Sequence, residues 1–339
     1  MQWLFFVVLL IVFLVSACSS DRDLTRLSGS TMGTTWHVSY LAGESSADED
    51  TLQREIEAIL ADVNKSMSTY KSDSEISTLN LSSPGNWSPV SREFYSVLSA
   101  ALSLGELSHG AYDVTIGPLV NRWGFGPEVL KGELPVDEEV KSLLAEVGQE
   151  KLELDASAMA VRKHSELSLD FSSLAKGYAV DRVANWLTSQ NIDNFLVEVG
   201  GEMRLAGHSQ RGDLWRIAIE QPQQGDRSIA QALSLTDAAI ATSGDYRNFF
   251  ERDGKRFSHS IDPRTGYPVE HDLVSVTVVH DSAMFADGWA TALTVLGADE
   301  ALALAQEQDL AVYFIRRKED NYVSSYTEAF APYLHRPEG

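Results

Sequence analysis

The sequence predicts an α+β fold. Three observations point there: some segments carry apolar residues at helical spacing, others read as strand-like runs, and the two kinds do not alternate as regular strand–helix–strand units. In order, the first strand-like run is 34–41. Leu52, Ile56, Ile59, Val63 and Met67 then share one helical face and predict a helix over 51–67. Phe94, Leu98, Ala101 and Leu102 do the same over 92–108, with Gly110 as a stop. Further helices are expected at 137–147, 175–190, 285–296 and 299–307, and further strands at 194–199, 214–220, 228–235, 273–280 and 310–315. Polar stretches at 43–50, 82–89, 207–213 and 221–227 read as surface connections, not domain boundaries, and no repeat or low-complexity block stands out.

The N-terminus carries an address. Residues 3–15, W-L-F-F-V-V-L-L-I-V-F-L-V, are apolar but shorter than the roughly 18 residues of a spanning helix, and V-S-A-C follows at 15–18. This resembles a bacterial lipoprotein signal with its lipobox, which implies cleavage before Cys18 and acylation of its thiol and new amino group. Cys18 is the only cysteine, and S-S-D-R-D at 19–23 reads as a polar tether. Met1-Gln2 lacks the usual basic residue, so a short uncleaved anchor is the alternative. The expected organisation is a signal peptide at 1–17, a lipidated tether at 18–28 and one catalytic unit at 29–335.

Composition narrows the function. A single cysteine forbids an intramolecular disulfide, so the fold must rest on its own core. The net charge of −22 disfavours nucleic acid and anionic lipid surfaces. A nucleotide ligand would need a metal ion or a local cluster of donors to enter so acidic a protein.

The most informative stretch is L-D-F-S-S-L-A-K-G-Y-A-V-D at 169–181, which ends a strand, turns through Ser172 and Ser173 and opens a helix with Lys176. A helix start beside a lysine suits phosphate oxygens. Asp170, just before it, could hold a ribose hydroxyl, a flavin N–H or a metal-bound water. The plainer reading is a strand capped into a helix by Ser172 or Ser173, with Asp170 a turn residue. S-T-M-G-T-T-W at 30–36 sets a glycine beside Met32 at a strand start, where backbone could approach a flat ligand and the thioether pack on a ring. Tyr70, in S-T-Y at 68–70, could stack on an aromatic ligand. Residues 110–126, G-A-Y-D-V-T-I-G-P-L-V-N-R-W-G-F-G, are too rich in glycine and aromatics for an ordinary connector. A core methionine, a half-buried tyrosine and simple folding needs would also account for these three.

In F-A-D-G-W-A-T-A-L, 285–293, Asp287 and Thr291 are i and i+4 on a helix, so a carboxylate and a hydroxyl converge as ligands for a hard cation. Asp287 as its own helix cap is the alternative. His259 precedes the tight I-D-P-R-T-G turn, where an imidazole could act as a base. V-E-V-G-G-E-M-R at 197–204 ends a strand in two glycines.

These blocks together resemble the ApbE family of flavin transferases: T-M-G-T from 31, S-T-Y from 68, A-Y-D-V-T-I-G-P-L-V-N from 111, the 169–181 segment, G-G-E from 200, H-S-I-D-P-R-T-G-Y-P from 259 and D-G-W-A-T-A-L from 287. The resemblance implies largely antiparallel sheets with flanking helices. It implies an enzyme that takes FAD, transfers the FMN half through a phosphoester to a threonine or serine of a partner, and releases AMP. It also implies magnesium, acceptor subunits of membrane redox pumps such as sodium-translocating NADH:quinone reductase and the Rnf complex, and a lipid-anchored location on the periplasmic side of the inner membrane.

On that resemblance Met32, Tyr70, Ala111, Tyr112, Asp113, Asp170, Lys176 and Ile261 would contact FAD. Ser173, Asp287 and Thr291 would surround magnesium, and His259 would be the catalytic base. Many members have a second aspartate where this chain has Ala290, and threonine at the position of Ser173. Two rivals stand beside this reading: an FAD pyrophosphatase that sends water to the same phosphorus, and a non-enzymatic flavin-binding lipoprotein.

Overall fold

The structure is a computed structural model that describes residues 23–41, 43, 47–127, 133–223, 228–244, 249–252, 254–319 and 321–335. Its elements begin with β1 (Leu24–Thr31), β2 (Thr34–Leu41), α1 (Glu49–Met67), α2 (Glu75–Asn80), β3 (Trp87–Pro89), α3 (Arg92–Leu107), α4 (Gly117–Arg122) and α5 (Asp137–Leu144). Next come β4 (Leu152–Asp155), β5 (Ala160–Lys163), α6 (Ala175–Ser189), β6 (Phe195–Val199), β7 (Glu202–Ala206), β8 (Trp215–Glu220), β9 (Ile229–Leu235) and β10 (Ala238–Gly244). The chain closes with β11 (Phe249–Arg252), β12 (Lys255–Ser258), β13 (Leu273–His280), α7 (Ala283–Leu296), α8 (Ala298–Glu307), β14 (Ala311–Lys318) and β15 (Asn321–Tyr326).

An eight-stranded sheet in the order β1-β2-β6-β7-β10-β13-β14-β15 forms the frame, and each of its neighbouring pairs is antiparallel. Both faces are covered, which is why β13 reads as a nearly continuous apolar run, not as an alternating one. On one face Val38, Val197, Ala239, Ala241, Val276, Val278 and Phe314 pack against α1, α3, α6 and α7. On the other, Leu205, Ile240, Val279 and Tyr313 meet Trp215, Ile219, Leu233 and Leu235 of the β8–β9 hairpin and Phe330. A register shift between Leu273 and Ser275 sends Val274 to the hairpin side while Val276 and Val278 face the helices. A third apolar cluster joins α4 and α5 to Phe257 of β12 and to Ile261 just after it.

The α+β expectation and its helices agree with this architecture; α1 is capped by Asp48, whose carboxylate accepts from the Thr51 amide at 2.8 Å. Several expectations shift. Met32 and Gly33 do not open a strand but form the two-residue turn between β1 and β2, both at positive φ (48° and 71°), the backbone a tight hairpin requires. β1 begins at Leu24, paired with Leu41, so the last part of the expected 18–28 tether belongs to the sheet. The 82–89 loop contains β3, which pairs with β5. The 110–126 segment is partly helical, as α4. Residues 1–22, with the expected signal peptide and Cys18, lie outside the described residues. Among the described residues no helix is long and apolar enough to cross a membrane.

Candidate active site

A cleft of about 1340 Å³ opens between the end of α1, the start of α6, the Asp287–Val295 stretch of α7 and the β11–β12 region. Met32, Tyr70, Ala111, Tyr112, Asp113, Asp170, Ser173, Lys176, His259, Ile261, Asp287 and Thr291 all line it, although they are spread over some 260 residues of chain. Met32 reaches it from the hairpin turn, and Tyr70, 67 % exposed, from the segment after α1. Ala111 and Tyr112, both buried, follow α3; His259 and Ile261 follow β12; Asp287 and Thr291 project from successive turns of α7.

At the floor, α6 and α7 cross so closely that a Cβ on Gly177 would lie 2.2 Å from the Ala283 carbonyl oxygen. That contact lets Asp287 Oδ2 accept from the Gly177 amide at 3.2 Å, so Asp287 caps α6 and not its own helix. The start of α7 is instead satisfied by Ser282 and by Asp181 of α6, whose carboxylate accepts from the Ala283 and Met284 amides, each at 3.0 Å. Lys176 Nζ lies 2.7 Å from Glu202 Oε1 and 3.7 Å from Asp287 Oδ2. Its ammonium is thus held by two carboxylates, not left free for a phosphate. Gly200, at φ 63°, keeps the space beside Lys176 Cδ open.

Electrostatics follow from this burial. Glu202 and Asp287 are 4 % and 6 % exposed. Burial pushes the Glu202 carboxyl up to about 7, against partial relief from Lys176. Burial likewise raises Asp287, with Lys176 and the Gly177 amide pulling it back. Burial alone would depress the Lys176 ammonium, but Asp287 and Glu202 reverse the sign and hold it above the ordinary lysine range. Two carboxylates share one ammonium here, and Glu202 Oε2 is buried without a hydrogen-bond partner among the described residues. The cluster has an oxygen donor to spare.

Around it, the Tyr112 and Ser173 hydroxyls are 2.8 Å apart, and burial pushes the phenol well above its usual range. Asp113 is committed locally: Oδ1 accepts from the Thr115 amide and hydroxyl at 2.8 and 2.6 Å, and Oδ2 from the Gln149 amide at 3.2 Å. It shapes the wall, and its carboxylate is already occupied. Asp170 Oδ1 accepts from the Ser172 amide at 2.7 Å. Neither serine caps α6. In the glycine- and aromatic-rich segment, Trp123 donates to the Gly266 carbonyl at 2.9 Å and packs on Phe257 and Tyr267. Its aromatics therefore serve partly as core, while Phe125 reaches the cleft and lies edge-on to His259.

The model of the ApbE family matches residues 32–314. The chain belongs to the ApbE family. Relatives named FAD:protein FMN transferase include one from Vibrio cholerae, 43 % identical over 335 residues that cover 99 % of both chains, and one from Escherichia coli K12, 36 % identical over 92 % of this chain and 90 % of its own. Among solved structures, the Vibrio cholerae flavin transferase ApbE superposes with a TM-score of 0.85 at 43 % identity, covering 92 % of this chain and all of that one. The apo Pseudomonas stutzeri flavinyl transferase ApbE gives 0.85 at 38 % identity, covering 92 % and 97 %.

Three parts of this ApbE-family site escaped reading from sequence. Glu202 lay in view in the G-G-E block, yet no spacing rule ties it to Lys176; only the packing of α6 against β7 does. Asp181 looked like an ordinary helical residue. The segment before Asp170 is not the strand expected there but an extended stretch with one isolated bridge, Ile116 to Ser168; Asn80 holds it, with Oδ1 accepting from the Leu169 amide at 2.7 Å and Nδ2 donating to the Leu169 carbonyl at 2.9 Å, and buried Lys163 donates to the Asn80 carbonyl at 2.8 Å. No local motif announced that contact across 89 residues.

Proposed function

We propose that this chain is an FAD:protein FMN transferase whose chemistry takes place in the cleft built around Lys176, Glu202 and Asp287. The observation that carries the reading is the convergence of every separately read block on one cleft, together with membership of a family whose full-length relatives bear that name. FAD would be held along Met32, Tyr70, the Ala111–Asp113 wall, Asp170 and Ile261. A hydroxyl of the acceptor attacks the FMN-side phosphorus; the new oxygen–phosphorus bond forms as the bond to the AMP phosphate oxygen breaks, and His259 takes the hydroxyl proton. General-base help of this kind contributes roughly 100- to 10,000-fold.

The residues present suit magnesium. Acids outnumber bases on the cleft wall, Asp113, Asp170, Glu202, Glu220 and Asp287 against Lys71 and Lys176, so a diphosphate needs a compensating cation. Magnesium keeps waters and takes substrate phosphates as ligands, so it needs few protein donors. Asp287 and Thr291, with Ser173 beside them, would hold it, and when bound it would neutralise charge on the diphosphate. The Gly177 amide and Lys176, itself held by Glu202, position the Asp287 carboxylate.

The acceptors we propose are flavoprotein subunits of membrane redox pumps, such as sodium-translocating NADH:quinone reductase and the Rnf complex, with the enzyme lipid-anchored through Cys18 on the periplasmic side of the inner membrane. The lipobox-like V-S-A-C supports that location. Incubating the protein with FAD, magnesium and the flavin-accepting subunit of that reductase should put covalent flavin fluorescence on the subunit's band in a denaturing gel. Release of FMN and AMP with a dark band would show a pyrophosphatase instead.

A further inference from the structure

The central sheet has an open edge inside the cleft. β10 pairs with β13 along Ala239–Gly244, but with β7 only at Ala238, Ala239 and Ile240, because β7 starts at Glu202 just after the Gly200-Gly201 turn. Continuing that register sets Ala241 opposite Glu202, so residues Thr242–Gly244 overhang β7. Three residues of strand span about 10 Å. In an antiparallel ladder, alternate residues turn both N–H and C=O to each side, so this overhang offers an unmatched set on the β7 side. Among the described residues no backbone partner meets it there.

Exposed edges invite another strand, and folded proteins usually cover or charge them. This one is neither: Thr242, Ser243 and Gly244 line the cleft shared by His259 and Asp287, with Thr242 exposed. Beside it Met203, Ile217, Ile219, Ile240 and Phe250 make an apolar wall. None of these residues is among those the FAD reading uses.

From this we infer that the Thr242–Gly244 edge receives the acceptor protein: an extended segment of the acceptor adds to β10 as a strand, and the cleft beside His259 receives its serine or threonine. The inference rests on the transferase reading and adds to it how the acceptor is held. The hydroxyl must reach a phosphorus within the cleft, and an extended segment can carry its side chain there while the open edge satisfies its backbone groups. Main-chain pairing supplies affinity with little regard to sequence, and the apolar wall takes alternate side chains.

Hydrogen–deuterium exchange on the full chain tests this. The probe is the flavin-accepting subunit of the reductase with its acceptor residue changed to valine, so that the complex does not turn over, and transfer to the unaltered subunit is measured in parallel. With FAD and this probe, amide exchange within 242–244 should slow by about tenfold or more relative to FAD alone. Equal protection by FAD alone would assign the edge to the nucleotide and overturn the inference, as would transfer to the unaltered subunit with no protection by the probe. Absence of transfer would overturn the underlying functional reading instead. As a second readout, Thr242→Pro and Ser243→Pro each remove one amide, one from the β13 ladder and one from the open edge. The open-edge proline should keep the wild-type unfolding midpoint and the KM for FAD, while raising the KM for the acceptor about tenfold; an unchanged acceptor KM in both variants would contradict the inference.

Discussion

Glu202 sets the balance of charge at the cleft floor. Its folded carboxyl is raised to about 7 by burial, above its ordinary 4.5. A group shifted upward on folding stabilises the protein fully below its unfolded value and loses that contribution as pH climbs through the folded one. The metal-free protein should therefore lose stability from this group between about pH 4.5 and pH 7. Glu202→Gln should flatten that part of the profile, seen as a smaller drop in thermal midpoint than wild type across the same window; an identical drop would remove Glu202 from the account. His259→Ala tests the base directly. Under chemistry-limited conditions it should lower transfer roughly 100- to 10,000-fold while leaving FAD binding intact, and a wild-type rate would refute the role.

The crossing of α6 and α7 is the element on which the site depends. An added methyl at Gly177 meets backbone, the Ala283 carbonyl, and backbone has little room to yield. Gly177→Ala should cost about 1–3 kcal/mol in a denaturant melt and, by parting the helices, should also weaken transfer. Asp181→Ala removes the acceptor of the Ala283 and Met284 amides and the partner of Arg204 at 2.9 Å, and should cost about 1–2 kcal/mol through the start of α7. At this scale the long helices were legible, since α1 and α3 bury one clean face each. Short strands were not. β7 and β10 mix small and polar residues, and their strand character comes from neighbours on both sides and not from their own pattern. The cap role of Asp287 was likewise illegible, because its partner amide belongs to a helix 110 residues away.

Across the whole molecule, the antiparallel sheet gathers segments from both ends of the chain, so the hairpin turn at Met32 and the helix bearing Thr291 meet at one cleft. That gathering explains what sequence alone could and could not supply. Residue types at short spacing, such as Asp287 with Thr291, were readable; their neighbours from other elements, Glu202 beside Lys176 or Asn80 beneath Leu169, depended on topology. An acidic cleft with a spare buried carboxylate oxygen should also respond to a cation as a unit. Magnesium should raise the thermal midpoint of the wild-type protein, and Asp287→Ala should abolish both that rise and transfer; full transfer in excess chelator would refute the metal site. The most direct test of the account is intact-mass spectrometry of the reductase's flavin-accepting subunit after incubation with this protein, FAD and magnesium. The account predicts that the subunit gains one phosphoester-linked FMN and that one AMP appears for each; an unchanged subunit mass, with FMN and AMP free in solution, would contradict it.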